Sequence, residues 1–259
     1  MKITWNIPSY KRPKVETLEY IPFAKVYVDV DEKEEYEKEN PDANIVACPK
    51  GIQGNLCRVR NYIIDEEFEN GADAVVIIDD DMEGIYYWEC DSDLKSIEKR
   101  KLDTEELQPI IEKYSQICKD LDFYYWGMNC NQDKLSYRQY SPFSFVSYIG
   151  GPFQCFLKGG VCRYDERLPL KEDYDMTLQQ CNKYRGCLRC NFLTYNVKQA
   201  KQTGGCATYR NLNREKEQFE LLRKKWGSQI VKTDAGNSRK GNKRSFDFNP
   251  IIKIPIKGI

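Results

Sequence analysis

Residues 74–84, AVVIIDDDMEG, run five apolar residues straight into three consecutive aspartates. With no alternation of apolar and polar positions, the run from Ala74 to Ile78 reads as a strand covered on both faces, as in the middle of a parallel α/β sheet. Asp79, Asp80 and Asp81 at its carboxyl end repel one another unless positive charge is held there. Open α/β sheets bind ligands outside that end of their strands, so a divalent cation carrying a phosphorylated ligand is the natural occupant. A solvated acidic turn explains an isolated Asp triplet equally well. The rest of the chain has to decide.

Upstream of this strand the sequence alternates strands and helices. KITWNIPSY is strand-like and stops at KRP; AKVYVDV is a second strand; DEKEEYEKEN is a charged helix closed by Pro41; NIVACP is a third strand. NLCRVRNYIIDEEFENG then places Leu56, Val59, Ile63, Ile64 and Phe68 at helical spacing, with Gly71 just past the end. Such alternation predicts a sheet with helices on its faces. From DTEELQPIIEKYSQICKDL onward the pattern changes. That segment is an amphipathic helix with Asp103 as cap and Glu106 three residues on. FYYWGMNCN and FSFVSYIGGPFQCFLKGG read as aromatic-rich strands interrupted by glycines, and KEDYDMTLQQCNKYRG and REKEQFELLRKKWG as helices. With no internal repeat or long linker, residues 1–230 read as a single domain, followed by a basic segment, 231–259, with a short terminal strand.

The 41% hydrophobic and 31% charged residues describe a soluble globular chain. No run approaches a membrane span, and the opening MKITWNIPSYKRP lacks the apolar centre of a signal peptide, so a cytoplasmic location is expected. Eleven scattered cysteines fit reduced thiols in a reducing compartment. Cys181, Cys187, Cys190 and Cys206 could supply four thiolates to zinc, although no second CxxC follows and such sites usually pair two close ligand couples. The chain has no histidine. Carboxylates are left as the acids, bases and metal ligands. Lys plus Arg and Asp plus Glu are both 40, so no global basicity points to nucleic acid. The last segment is locally basic, and a solvated tail is its plainest explanation.

Four motifs fall into a recognisable order: IPSYKRP near the start, RVRN on the helix before the acidic strand, IIDDDM at its tip, and YDERLPLKEDYDMTLQ further on. Together they resemble GT-A nucleotide-sugar glycosyltransferases, especially the large inverting family of that fold. The resemblance spans roughly residues 1–210 and implies an α/β fold of two halves. One is a Rossmann-like nucleotide-binding half with a mostly parallel central sheet; the other binds the acceptor.

What the resemblance implies can be set residue by residue. Pro8, Ser9, Tyr10 and Arg12 occupy the turn that lines the nucleotide pocket, where a hydroxyl, an aromatic face and a cation suit a base and its phosphates. Asp29 falls where the family accepts from a pyrimidine base, though a helix cap explains it as well. Arg60 and Asn61 match the family's Arg-Asn beneath the donor, with Arg58 a rival on the same helix. Either arginine could counter phosphate or pair with the acidic tip, and a surface ion pair would explain either without function. Asp79, Asp80 and Asp81 match the Asp-x-Asp motif, in which the last aspartate holds Mn²⁺ or Mg²⁺ and the first contacts the ribose or the metal through water. Glu172 and Asp173 match the Glu-Asp that opens a helix, making Asp173 the general base; a dipole and capping effect is the alternative. Gly150 and Gly151, before Pro152, match the wall beside the donor sugar.

The compact form, the IPSYKRP opening and the KEDYDMTLQ segment look most like phage-type TET-associated glycosyltransferases, which are thought to modify 5-hydroxymethylpyrimidines in DNA. That resemblance implies a nucleotide-sugar donor, a UDP-sugar first, and a DNA acceptor. Arg239, Lys240, Lys243 and Arg244 would then meet phosphates, and the aromatics of DFYYWGM and SPFSF would lie beside an extruded base. A transferase acting on cell-surface or capsule sugars, and a non-catalytic binder of the same fold, are the competing expectations.

Overall fold

Four strands, Ile3–Pro8 (β1), Lys25–Asp29 (β2), Asn44–Cys48 (β3) and Ala74–Ile78 (β4), lie parallel in the order β3-β2-β1-β4. They belong to a computed structural model that describes residues 1–90, 97–137, 140–198, 204–233 and 248–255. The chain lays down β1, steps outward through β2 and β3, and returns to the other side of β1. Strand order therefore reverses between β1 and β4, which opens a crevice at their carboxyl ends. Lys33–Glu39 (α1) and Leu56–Glu69 (α2) make the crossovers. All five residues of β4 are buried, as its unbroken apolar run requires.

Beyond β4 come Met82–Cys90 (β5), Ile97–Lys101 (β6), Thr104–Asp120 (α3), Tyr125–Asn129 (β7), Phe143–Ser144 (β8), Phe153–Leu157 (β9), Glu172–Tyr184 (α4), Leu188–Val197 (β10), Leu212–Trp226 (α5), Val231–Thr233 (β11) and Pro250–Ile252 (β12). The sheet continues from β4 as β9-β7-β10-β5-β6, with β8 on β10. Only the β7–β10 pair of this half is parallel. The α/β class with a central parallel sheet is as expected, its parallel strands gathered mostly in the first half. No element was expected for 82–90 or 97–101, which form β5 and β6, paired antiparallel. β6, IEKRK, is almost wholly charged and exposed, as suits an edge strand that must not recruit another chain.

The alternation of β4 divides the core. Val76 and Ile78 join a cluster with Trp5, Ile7 and Trp126 that is closed by Leu107 and Ile111 of α3. Val75 and Ile77 face the opposite cluster, with Val59, Ile63 and Ile64 of α2 and Met176 and Cys181 of α4. α3 starts at the expected capping box, where Asp103 N donates to Glu106 Oε2 at 2.8 Å. A third cluster, Leu168, Leu178, Phe219, Leu222 and Val231, joins the outer side of α4 to α5 and β11. Among the described residues, no helix is long and apolar enough to cross a membrane.

Candidate active site

The crevice between β1 and β4 is bridged by Asp80. Ser9 Oγ donates to Asp80 Oδ2 at 2.6 Å and shares a hydrogen bond with Tyr36 Oη at 2.9 Å. Arg12 Nη1 pairs with the same carboxylate and lies 3.8 Å from Asp81 Oδ2. Ser9, Arg12 and Asp80 thus tie the turn after β1 to the β4 tip. Burial raises the Asp80 carboxyl despite Arg12 and Ser9. Thr17 secures the other side of the tip, donating to Asp79 O at 2.7 Å and accepting from Met82 N at 2.8 Å. Tyr10 is half-buried under the Lys11 ammonium, and its carbonyl accepts from Gly205 N at 2.8 Å. Asp29 Oδ1 accepts from Asp31 N at 2.9 Å, so a capping role is present, and Asp29 ends the strand beside β1.

α2 begins where the Asn55 side chain accepts from Cys57 N at 3.0 Å and Arg58 N at 3.3 Å. That start turns Arg58 and Arg60 to different sides. Arg58 is exposed, paired with Glu166 at 3.0 Å. Arg60 is buried at 1% exposure and ligates the site with both amines. Nη2 donates to Asp79 Oδ1 at 2.8 Å and Gly151 O at 3.1 Å; Nη1 donates to Glu172 Oε1 at 3.2 Å and Gln154 Oε1 at 3.3 Å. Burial works against its charge, but Tyr164, Asp79 and Glu172 outweigh it and hold the guanidinium firmly protonated. Asn61 faces elsewhere: it clasps the backbone of Tyr164, donating to its carbonyl at 2.9 Å and accepting from its amide at 2.7 Å.

α4 supplies the other wall. Glu172 is buried, and burial followed by the neighbouring Asp173 charge pushes its carboxyl up to about 8, against the pull of Arg60. Asp173 Oδ2 accepts from Gly151 N at 3.2 Å and from the Tyr148 hydroxyl. A Cβ on Gly151 would meet Glu172 Oε1 at 3.4 Å and Arg60 Nη1 at 3.5 Å, ordinary contact distances, so Gly151 borders the charged cluster. The space beside Gly150 is already taken: a Cβ there would lie 2.4 Å from Tyr195 Oη. Gln154 and Tyr148, which complete the cluster with Tyr164, are not singled out in the sequence; Tyr164 opens the YDERLPLKEDYDMTLQ motif but is given no role there.

The model of one family, the TET-associated glycosyltransferases, matches residues 18–205, a span holding Arg60, Asp79–Asp81 and Glu172–Asp173. The chain belongs to that family. It is a glycosyltransferase, and its family implies a nucleotide-sugar donor and an acceptor. No curated protein matches the chain. Among solved structures, A197 from STIV is 12% identical, with a TM-score of 0.40 over 81% of this chain and 92% of its own. Residues 1–349 of S. aureus TarS are 9% identical, with a TM-score of 0.42 over 88% of this chain and 73% of that one. Likenesses this remote carry nothing about substrate.

In this TET-associated glycosyltransferase the three tip carboxylates have different partners: Asp79 meets Arg60, Asp80 meets Ser9 and Arg12, and Asp81 lies 3.8 Å from Arg12. Among the described residues, no three Cys, Asp or Glu side chains converge as ligands, either here or around Cys181, Cys187, Cys190 and Cys206. Burial, then the charges of Asp79 and Asp80, push Asp81 up to about 7, and Arg12 at 3.8 Å compensates only in part. Asp79 and Asp81 offer the hard oxygen atoms that Mn²⁺ or Mg²⁺ takes, with one Asp79 oxygen already engaged by Arg60. Arg239, Lys240, Lys243 and Arg244 lie outside the described residues.

Proposed function

We propose that the protein transfers a sugar, with inversion, from a nucleotide-sugar, a UDP-sugar first, to the hydroxyl of a 5-hydroxymethylpyrimidine in phage DNA, in the host cytoplasm. The observation that carries this reading is Arg60, whose amines join Asp79 at the strand tip to Glu172 at the helix start. Donor-side and acceptor-side carboxylates are thereby held in one rigid unit.

In this reading Tyr10 and Asp29 receive the nucleotide base, and Asp79 and Asp81 hold Mn²⁺ or Mg²⁺. When bound, the ion neutralises charge on the departing diphosphate. Asp173, steadied by Tyr148 and the Gly151 amide, takes the proton of the acceptor hydroxyl. The acceptor oxygen bonds to the anomeric carbon from the opposite face as the bond to the diphosphate breaks, and the diphosphate leaves with the electron pair. Glu172 keeps Arg60 in place beneath both groups.

The test is to incubate the protein with Mn²⁺, a panel of UDP- and GDP-sugars and hydroxymethylated DNA, and to weigh the DNA. A hexose mass on hydroxymethylated but not on unmodified DNA is expected. Sugar moved only to glycans would overturn the acceptor, and no consumption of any donor would overturn the catalytic reading.

A further inference from the structure

Arg189, on β10, is a cation without a counter-ion among the described residues. Its side chain is partly buried; Nε donates to Asn191 Oδ1 at 3.0 Å and Nη1 donates to Tyr148 O at 3.3 Å, both uncharged partners. No carboxylate among the described residues pairs with it, whereas Arg12 and Arg60 each have one. Burial accordingly lowers its pKa. A guanidinium stays charged in any protein, so holding one partly out of water without an anion is costly, and most of its N–H fork is left unused.

Its position is set by the sheet. Arg189 pairs with Gly127, Gly127 with Gln154, and Gln154 with Ile77, so the four form one row and share a face. That face is the one on which Gln154 meets Arg60. Tyr148 links Arg189 to the reacting group: its carbonyl takes the guanidinium and its hydroxyl donates to Asp173. Three strand spacings, about 14 Å, separate Arg189 from β4. Ser144 of β8 pairs with Arg189 and shares its face. The N–H groups of the guanidinium left without a protein acceptor suit the oxygens of a phosphate.

We propose that Arg189 binds a backbone phosphate of a nucleic-acid acceptor, next to the nucleotide whose hydroxyl faces Asp173. This rests on the acceptor reading given above and adds the residue that recognises it. The deciding comparison uses R189Q and R189K with two acceptors: a single-stranded oligonucleotide containing 5-hydroxymethylcytosine, and the phosphate-free 5-hydroxymethylcytidine nucleoside. The fall in kcat/KM for R189Q should be at least about tenfold greater on the oligonucleotide, with the change in acceptor KM rather than donor KM. The salt slope of oligonucleotide binding should drop by roughly 0.7, the value of one single-strand phosphate contact. R189K should recover part of the affinity, and thermal melting should show both variants folded. Equal losses on both acceptors, a raised donor KM or an unchanged salt slope each overturn the inference alone. Wild-type protein that transfers to a phosphorylated glycan but not to the oligonucleotide, or to neither, overturns the DNA reading and this inference with it.

Discussion

Arg60 Nη2 stands 2.8 Å from Asp79 Oδ1, so the first carboxylate of the acidic tip is anchored by a cation rising from the helix beneath it. Because the same guanidinium reaches Glu172, removing it leaves the Asp79 charge and the buried Glu172 carboxyl without their partner. Arg60→Ala should cost about 3–5 kcal/mol of stability, the usual penalty for breaking a buried pair from one side. Arg60→Lys should recover only part, since one ammonium cannot reproduce the fork. Chemical denaturation measures both.

Asp173→Asn preserves shape but cannot take a proton, and its NH₂ replaces one of the two oxygens that accept from Tyr148, Gly151 and Tyr174. Transfer should fall by roughly 10²–10⁴ while donor binding survives. Wild-type rates in this variant would assign the base elsewhere.

Asp81 sets stability against activity. Its carboxyl, raised to about 7, is a charge the metal-free fold holds at a cost. Asp81→Asn should stabilise the metal-free protein at pH 8 and abolish manganese-stimulated turnover. Activity that persists in this variant, or in excess EDTA, would remove the metal assignment.

A raised carboxyl also fixes the sign of one pH dependence. Glu172 titrates near 4.5 when unfolded and near 8 when folded. Between those values the native state holds a proton that the unfolded state has lost, so this group makes stability fall as pH rises through the window. Melting temperature followed from pH 5 to 8 should decline less steeply for Glu172→Gln than for wild type. A parallel decline would place the titration on another group.

For the basic segment, neutralising Arg239, Lys240, Lys243 and Arg244 together should weaken DNA binding and flatten its salt dependence. An unchanged slope makes the segment a bystander.

The acidic strand was legible because its signals are local: an unbroken apolar run, then charge. The same is true of α2, with helical spacing and a closing glycine, and of Asp103–Glu106, whose reciprocal capping lies within one turn. What escaped depends on partners distant in sequence. β6 receives no assignment from the sequence because its strand character comes only from pairing with β5. Nothing in RVRN distinguishes Arg58 from Arg60; the difference is which side of α2 meets β4 and α4. Asp80 belongs to a triplet that reads as uniform, yet Ser9 and Arg12 turn it inward. Tyr148 and Arg189 are invisible singly and acquire meaning where β8 and β10 bring them beside α4.

The helix carrying Asp173 leans on α5, which begins after the family-matched span has ended. Lys171, buried just before Glu172, pairs with Glu215, and buried Asp175 accepts from Trp226 Nε1 at 2.7 Å and Lys225 Nζ at 2.9 Å or less. Glu215 also holds Arg210 at 3.0 Å, so the dependence runs one way: Lys171 is tolerable only while Glu215 remains. In evolutionary terms a lineage that loses Glu215 first must pass through a chain with an orphaned buried ammonium, whereas one that loses Lys171 first does not. Divergence of α5 among relatives that keep Lys171 should therefore leave its exposed face free and its charge signature against α4 fixed, and exchanging α5 between them should work only when the incoming helix carries Glu215.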